Sequence, residues 1–351
     1  MSAKKLFTVV SPFYTEMIAA LKQAQQTIHM AYLAFDDGRW ARFIAHTLAQ
    51  KAAAGVSVHL MVDELGQYLE NLSNAYRNQR LLNRLATSGV QVDLFRPNGR
   101  RLSQFNRLHC KFCAIDDQIV FMGGSNIGDH YLRWRDSNIR IDGDLGNSFP
   151  QLYEGLRQFC GSENDYPPDL TALQIADMPL LLTVPGRRQD IRRHLLDLIL
   201  SAKTAVSLRS WTFLPDKEIV NALLSQAENG VRVTILYSNR TRTPFIDIAN
   251  RRLTHRLAKA GINIYRYVNG YMHAKEAWND QGDILFGSAN IDLWALRTNF
   301  ECCLRIVDRA LARELSLELN DDLIYCLPPK RGEEWQRLDK NSAISAMSAL
   351  R

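Results

Sequence analysis

The amino-acid sequence predicts an α/β protein of two tandem α/β/α sandwich domains, related by a pseudo-two-fold axis and built on mixed, largely parallel sheets. Two observations predict this fold. Strand-like runs alternate with helix-like runs along the chain, as in proteins whose helices cover the faces of a sheet. The second half of the chain also repeats the element order of the first half, which indicates two copies of one structural unit.

Each half opens with a helix followed by a strand. The helix-like stretches are 13–26 and 191–204, and the strand-like runs after them are 29–35 and 206–213. Both runs are rich in residues that suit a pleated, half-buried surface. The same helix–strand order therefore begins both units.

A glycine then ends each of the next two helices and opens a strand. Gly55 and Gly230 form one equivalent pair, and Gly89 and Gly261 form the next. Glycine after a helical run is the usual stop signal. Beyond these pairs the register drifts, because the first half carries a longer loop at about 98–105.

The proline-rich stretch between the halves sets the expected domain limits. We expect an N-terminal domain over 1–160, a linker over 161–188 and a C-terminal domain over 189–330. Residues 331–351 lie outside the repeated pattern and form a C-terminal tail.

Composition and charge narrow the class of protein. Hydrophobic residues make up 46% of the chain and charged residues 23%, as in ordinary globular proteins. No apolar run reaches the roughly 18–20 residues that a membrane span needs, and no secretory signal is evident, so we expect a cytoplasmic chain, peripheral on the inner membrane face. The net charge of +6 suits either nucleic acid or an anionic membrane and does not choose between them.

The cysteines predict no metal centre and no disulfide framework. Cys110-x-x-Cys113 has the spacing of half a zinc site or of a redox pair, but a second such pair is missing. Both thiols lie in a strand-like apolar run, so we expect buried structural cysteines.

The strongest chemical signal is a motif that occurs once in each half. Both copies have the spacing His-x-Lys-x4-Asp, then a small residue and an Asn, and finally an acid ten or eleven residues after the Asn. The residues of the first copy are His109, Lys111, Asp116, Gly124, Asn126 and Asp136. The residues of the second copy are His273, Lys275, Asp280, Ser288, Asn290 and Glu301. Two intact copies in register indicate one shared site.

This pattern resembles the phospholipase D superfamily over nearly the whole chain. The flanking residues are most similar to bacterial cardiolipin synthases that lack transmembrane helices. The stretches that carry this narrower match are GGSNIGD at 123–129, WRD at 134–136, FLPD at 213–216, GSANID at 287–292 and NFE at 299–301.

The residue types explain the chemistry independently of the resemblance. Alternate side chains of a strand share one face, so each His projects together with its Lys, and a pseudo-dyad brings both pairs into one cleft. One imidazole attacks phosphorus to form a phosphohistidine, and the other protonates the leaving alcohol and deprotonates the incoming one. The Lys and Asn side chains hold the phosphate oxygens, so no cofactor or metal is required. Gly124 and Ser288 are small enough to let the phosphate come close.

The acids have two roles in this interpretation. Asp136 and Glu301 are expected to accept a hydrogen bond from the histidines and fix their tautomers. The resemblance implies that Asp116 and Asp280 are mainly structural members of the motif. It also implies that His109 is the nucleophile, although the pseudo-symmetry leaves the opposite assignment open.

The predicted function is a phosphatidyltransferase of the cardiolipin synthase type. Its expected partners are phospholipids, phosphatidylglycerol among them, and an anionic membrane surface, and one chain completes the site. A phospholipase D that hydrolyses lipids to phosphatidic acid, a nuclease and a non-catalytic membrane-surface scaffold are the alternatives. Nucleic acid is not favoured as a partner, since no basic stripe interleaved with aromatic residues stands out.

Some residues near the motifs have two interpretations. His130 either lines the cleft or is an ordinary histidine, and Trp211 and Phe213 either pack in the core or contact lipid. The basic group after the second-half strand is either a solvated face or a site for anionic headgroups. Its members are Arg240, Arg242, Arg251 and Arg252.

Overall fold

The computed structural model describes residues 3–96, 106–161, 173–175 and 178–327. The predicted loop at 98–105, most of the predicted linker and the predicted tail lie outside the described residues. The described part forms two α/β units, as predicted. Within it, every helix is too short or too polar to cross a bilayer.

The elements of the first unit alternate as the sequence predicts. The strands are β1 (Ala3–Phe7), β2 (Thr27–Tyr32), β3 (Ser57–Asp63), β4 (Gln91–Phe95), β5 (Phe112–Ile115), β6 (Ile119–Gly123) and β7 (Asn138–Asp142). The helices are α1 (Val10–Gln23), α2 (Arg39–Ala53), α3 (Gly66–Glu70), α4 (Ala75–Thr87) and α5 (Ser148–Gly161), with 3-10 turns at Leu72–Asn74 and Asp129–Arg133.

The second unit repeats this order with extra short strands. The strands are β8 (Gln174–Ile175), β9 (Met178–Val184), β10 (Arg188–Gln189), β11 (Ala205–Ser210), β12 (Phe213–Leu214), β13 (Arg232–Ser238), β14 (Asn263–Tyr267), β15 (Glu276–Asn279), β16 (Asp283–Gly287), β17 (Ile291–Asp292), β18 (Glu301–Val307) and β19 (Cys326–Leu327). The helices are α6 (Asp190–Ser201), α7 (Lys217–Glu228), α8 (Pro244–Lys259) and α9 (Arg309–Leu323), with a π-helical turn at Trp294–Thr298.

The two large sheets have equivalent strand orders. The first runs β1-β7-β6-β5-β2-β3-β4, and the second contains β9-β18-β16-β15-β11-β13-β14 in the same relative positions. Both sheets are mixed, as predicted, but the expectation that they are largely parallel holds only for β2-β3-β4 and β11-β13-β14. Strands β5, β6 and β7 pair antiparallel, because a short turn joins β5 to β6 and the loop 124–137 joins β6 to β7 without a crossover α-helix.

The repeat extends beyond the motifs. Strand β9 lies within the stretch predicted as a linker, yet it occupies the position in the second sheet that β1 occupies in the first. The sheet of the second unit therefore includes residues before 189. The exact domain limits stay a prediction. At the helix ends, Gly55 and Gly230 have φ of 89° and 81°, the left-handed conformation that a helix stop needs.

An apolar core joins the units. Phe300 of the second unit packs edge-on against Phe95 and Phe159 of the first, with ring centroids 5.0 and 4.7 Å apart. Two further cores, one in each unit, fill the opposite faces of the sheets under α1 and α2 and under α6 and α7. This packing holds the two motif strands in a fixed relation.

Candidate active site

The backbone brings the two motifs together at one edge of the sheets. The amide of His109 donates to the carbonyl of Phe300 at 2.8 Å, and the amide of His273 donates to the carbonyl of Arg135 at 2.7 Å. Phe300 and Arg135 each directly precede the acid of the other half. The two contacts are equivalent when the halves are exchanged, as a pseudo-two-fold axis between the motifs requires.

The acids are exchanged between the halves. His273 Nδ1 lies 2.7 Å from Asp136 Oδ2 in a hydrogen bond. His109 Nδ1 lies 2.7 Å from Glu301 Oε1, but the contact is too poorly aligned to count as a hydrogen bond. Each imidazole therefore directs its Nδ1 to a buried carboxylate of the other unit, which leaves Nε2 for the cleft.

Both motif lysines are buried in the same cluster. Lys111 Nζ donates to the carbonyl of His109 at 2.9 Å, and Lys275 Nζ donates to the carbonyl of His273 at 2.6 Å. Both side chains are almost inaccessible, at 1% and 2% exposed. Each ammonium group has three protons, so each keeps donors for an anion after this bond.

The two motif asparagines differ in their partners. Asn126 Nδ2 donates to the hydroxyl of Tyr131 at 2.7 Å, and its Oδ1 accepts from the amide of Ala34 at 3.4 Å. Asn290 is 7% exposed, and its Oδ1 has no hydrogen-bond partner within the described residues. A buried amide with unused capacity is costly unless a ligand satisfies it.

The small residues after the motif strands pack against the acids. A Cβ on Gly124 would lie 2.0 Å from Asp136 Oδ1 and 2.7 Å from the carbonyl of His273. The hydroxyl of Ser288 donates to Glu301, and in the first unit the hydroxyl of Ser125 donates to Asp136 at 2.9 Å. Gly124 and Ser288 thus shape and orient the carboxylates, in addition to leaving room for a phosphate.

Burial governs the protonation of the cluster. Desolvation, followed by the charges of the two lysines, holds the pKa of His109 and His273 well below the usual 6.5. Desolvation also raises the pKa of Asp136 to about 6 and that of Glu301 to about 8, and lowers that of Lys275 to about 7. The site therefore favours neutral imidazoles until an anion enters.

The motif aspartates lie outside this cluster, at the far ends of β5 and β15. Both oxygens of Asp116 accept backbone N–H groups of Gln25, Gln26 and Thr27 at 2.7–2.8 Å. Asp280 accepts the amide of Lys203 at 2.9 Å. The structure thus separates Asp116 and Asp280 from the other predicted site residues, because a strand of four residues stands between them and the lysines.

A hydrogen-bonded chain that the motifs do not reveal supports Asn126. The Tyr131 hydroxyl donates to Glu70, whose carboxylate also contacts His130 Nε2 at 2.9 Å and Arg242 Nη1 at 3.2 Å. Although burial acts to raise the pKa of Glu70, the hydrogen bond with His130 and the charge of Arg242 lower it to about 2. Glu70 belongs to no motif, so only the fold shows its role.

Among the described residues, aromatic rings pack against His273 and none packs against His109. The centroids of Trp134, Trp211 and Tyr131 lie 5.0, 5.4 and 5.7 Å from that of His273. The side chain of His273 is 4% exposed, against 11% for His109. The wall beside His273 is therefore drier than the wall beside His109, and Trp211 faces the site rather than the core.

A buried ionic network lies behind Asp136. Arg209 is fully buried and pairs with Glu276 and with Asp322 Oδ2, the latter at 2.6 Å. The hydroxyl of Ser137 donates to Glu276 at 3.2 Å, which links the network to the residue after Asp136. In the first unit the equivalent of the Arg209–Glu276 pair across the two strands is Ala31 opposite Phe112.

Comparison with known proteins places this geometry in a family. The family described as "Cardiolipin synthase, PLD-like domain" matches residues 17–151 and again 195–323. The chain is 28% identical over 336 residues to a cardiolipin synthase of Staphylococcus aureus, a match that spans 91% of this chain and 67% of that protein. It is 29% identical over 339 residues to cardiolipin synthase 1 of Staphylococcus epidermidis, with the same shares. The predicted resemblance is thereby confirmed.

Solved structures support the fold alone. The phosphatidylserine synthase of Haemophilus influenzae matches with a TM-score of 0.71 at 16% identity, covering 99% of this chain and 94% of that one. The polyphosphate kinase of Porphyromonas gingivalis matches with a TM-score of 0.62 at 15% identity, covering 97% of this chain and 53% of that one. Because these proteins are named for different reactions, the shared fold does not fix the chemistry.

Proposed function

This chain belongs to the family of PLD-like domains of the cardiolipin synthase type, and we propose that it moves a phosphatidyl group from one phospholipid to a hydroxyl of another. The observation that carries this proposal is the exchanged pairing of each motif histidine with a buried carboxylate of the other half, beside two buried lysines. That set binds a phosphodiester and supplies both a nucleophile and a proton donor.

In the first step, Nε2 of His109 attacks the phosphorus of the donor lipid, with phosphatidylglycerol as the expected donor. The bond from phosphorus to the leaving glycerol oxygen breaks, and His273 gives that oxygen a proton. In the second step His273 takes the proton of the incoming hydroxyl, whose oxygen bonds to phosphorus while the phosphorus–nitrogen bond breaks. Both histidines return to their starting states.

The environments of the two histidines favour this assignment. At neutral pH, a pKa of about 6 leaves Asp136 largely ionised, whereas a pKa of about 8 leaves Glu301 largely protonated. An ionised partner stabilises an imidazolium, so His273 suits the acid and base role once the substrate anion is bound. His109 has the more accessible ring, which suits a nucleophile.

The lysines and asparagines neutralise the charge that develops on the phosphate oxygens. Lys111 and Lys275 keep donors beyond their carbonyl bonds, and a bound anion restores the charge that burial disfavours on them. Asn126 and Asn290 supply amide donors. Each group acts through its own protons, so the proposed steps involve no cofactor.

The aromatic wall beside His273 supports transfer over hydrolysis. Trp134 and Trp211 limit the access of water to the proton donor, while a lipid hydroxyl that arrives with its apolar body is compatible with such a wall. We place the reaction at an anionic membrane surface, where both lipids reside.

The test is a lipid product analysis by mass spectrometry. The purified protein is incubated with vesicles that contain phosphatidylglycerol, alone or with phosphatidylethanolamine, and His109→Ala serves as the control. Cardiolipin that forms only with the unaltered chain supports transfer. Phosphatidic acid without cardiolipin would indicate a hydrolase, and unchanged lipids with cleaved nucleic acid would indicate a nuclease.

A further inference from the structure

Large apolar side chains are exposed at the edge of the molecule where the motif strands begin. Strands β3 and β13 end at this edge, since they run parallel to β2 and β11 while β5 and β15 run antiparallel to them. The segments that follow these strands and the second motif carry side chains that are 44–76% exposed. This apolar rim consists of Leu69, Leu72, Tyr76, Phe245, Leu293 and Trp294.

The apolar rim adjoins the site from both units. Arg242 Nη1 donates to the carbonyl of Glu70 at 2.7 Å, which ties the segment before Phe245 to the end of α3. The carboxylate of the same Glu70 accepts from Tyr131, the residue that holds Asn126. Leu293 and Trp294 follow Asn290 within four residues. A flat surface that touches the rim therefore faces the mouth of the cleft.

Positive charge is interspersed with the apolar rim. Arg77 and Arg80 are exposed on α4 beside Tyr76, and Arg240 and Arg252 are exposed on either side of Phe245. Protein surfaces that rest at the level of the lipid headgroups combine Trp and Tyr with Leu and Arg in this way. The arginines add attraction to anionic lipids, and the chain as a whole carries a net charge of +6.

The opposite edge of the sheets differs. Leu200 at the end of α6 and Val307 at the end of β18 are 52% and 69% exposed, and each belongs to a separate element. Scattered exposed apolar residues are ordinary on a protein surface, whereas a group around a cleft marks an interaction surface.

We propose that the apolar rim docks the protein on an anionic phospholipid bilayer and holds the cleft against the headgroup layer. The partner is a lipid surface because exposed apolar side chains of both units lie on segments that adjoin the site, and because exposed arginines stand among them. The inference rests on the proposed function, because an enzyme that acts on diacyl phospholipids must reach them in the bilayer. The docking itself requires no catalysis.

The experiment compares two multiple variants with the unaltered chain. Leu69→Ser, Leu72→Ser and Phe245→Ser are combined in the rim variant, and Leu200→Ser and Val307→Ser in the control variant. Binding to vesicles of phosphatidylglycerol and phosphatidylcholine is measured by flotation, and turnover is measured on the same vesicles and on monomeric short-chain phosphatidylglycerol. The rim variant is expected to bind at least roughly tenfold more weakly, while the control variant binds as the unaltered chain does.

The readouts separate this proposal from the proposed function. His109→Ala is expected to bind vesicles normally, and the rim variant is expected to keep its turnover of the monomeric substrate while losing turnover on vesicles. Normal vesicle binding by the rim variant, or no binding by the unaltered chain, overturns the docking proposal. If only the rim variant binds vesicles more weakly and the unaltered chain transfers no lipid, the docking proposal stands and the proposed transfer is refuted.

Discussion

At the scale of the residue, the carboxyl groups of Asp136 and Glu301 occupy equivalent places beside the motif histidines, but their surroundings shift their pKa values by different amounts. Both are buried, and burial raises the pKa of each, to about 6 for Asp136 and to about 8 for Glu301. The lysines and the hydroxyl bonds from Ser125 and Ser288 oppose this shift without cancelling it. An almost symmetric site thereby acquires two unequal histidines.

This inequality predicts different effects of neutralising the two acids. At pH 7, Glu301→Gln replaces a largely protonated group by a neutral one, whereas Asp136→Asn removes a charge that supports the imidazolium of His273. We expect Asp136→Asn to lower kcat by at least about tenfold more than Glu301→Gln, because such a charge-assisted bond contributes roughly 1.5–3 kcal/mol. Steady-state kinetics of the two variants test this, and equal losses would contradict the assignment of His273.

The same groups predict a pH profile. The value of kcat/KM reports on the free enzyme, so it should fall below about pH 6 as Asp136 is protonated. It should also fall above about pH 7, where Lys275, whose pKa burial lowers to about 7, loses its charge. In Lys275→Arg the guanidinium stays charged, and the alkaline fall should move to higher pH. An alkaline limb that this substitution leaves in place would assign the limb to another group.

At the scale of the element, the 3-10 turn Asp129–Arg133 holds Asn126, one of the residues proposed to bind the phosphate. Its Tyr131 hydroxyl accepts from Asn126 and donates to Glu70. Tyr131→Phe is expected to lower kcat/KM by about tenfold, because Asn126 loses the hydroxyl that holds its amide and the buried Glu70 loses a hydrogen-bond donor. Tyr153→Phe is the matched control, because that buried hydroxyl donates to Asp93 at 2.7 Å away from the site. An equal effect of both variants on activity would refute the positioning role.

The turn after β5 has a structural task, and Asp116 is its centre. Asp116 has a φ of 52° and accepts three backbone N–H groups of the segment before β2. We expect Asp116→Ala to lower the free energy of unfolding by about 2 kcal/mol or more. Denaturant unfolding measures this loss, while kcat of the folded fraction should remain near its original value. A large fall in kcat with normal stability would return Asp116 to the chemistry.

At the scale of the whole molecule, the repeat was predictable and the exchange between the repeats was not. Spacing alone pointed to His109, His273 and both lysines, because the alternation of side chains along a strand and the repetition of a motif can both be read from the sequence. The spacing that places Asp136 after Asn126 does not say which histidine it serves. That choice is made by the contacts of Arg135 with His273 and Phe300 with His109 across the pseudo-dyad.

Other features lay beyond the sequence for similar reasons. Glu70 and Arg242 come from different units and meet only in the folded chain, so no periodicity marks them. The buried pair of Arg209 and Glu276 stands where the first unit has an apolar pair. Equivalent strands can therefore carry either charged or apolar side chains behind the site. The sheets are less parallel than predicted because no crossover α-helix lies between β5, β6 and β7.

The most direct test of the shared site is to trap its covalent intermediate. His273→Ala removes the acid of the first step and the base of the second, while His109 remains, so the trap uses a donor whose leaving group needs no proton. After incubation with a short-chain phosphatidic acid ester of p-nitrophenol and rapid quenching at neutral pH, peptide mass spectrometry should find a phosphatidyl adduct on His109 in His273→Ala and none in His109→Ala. An adduct on His273 in the His109→Ala variant, or the absence of any adduct in an active enzyme, would contradict the account.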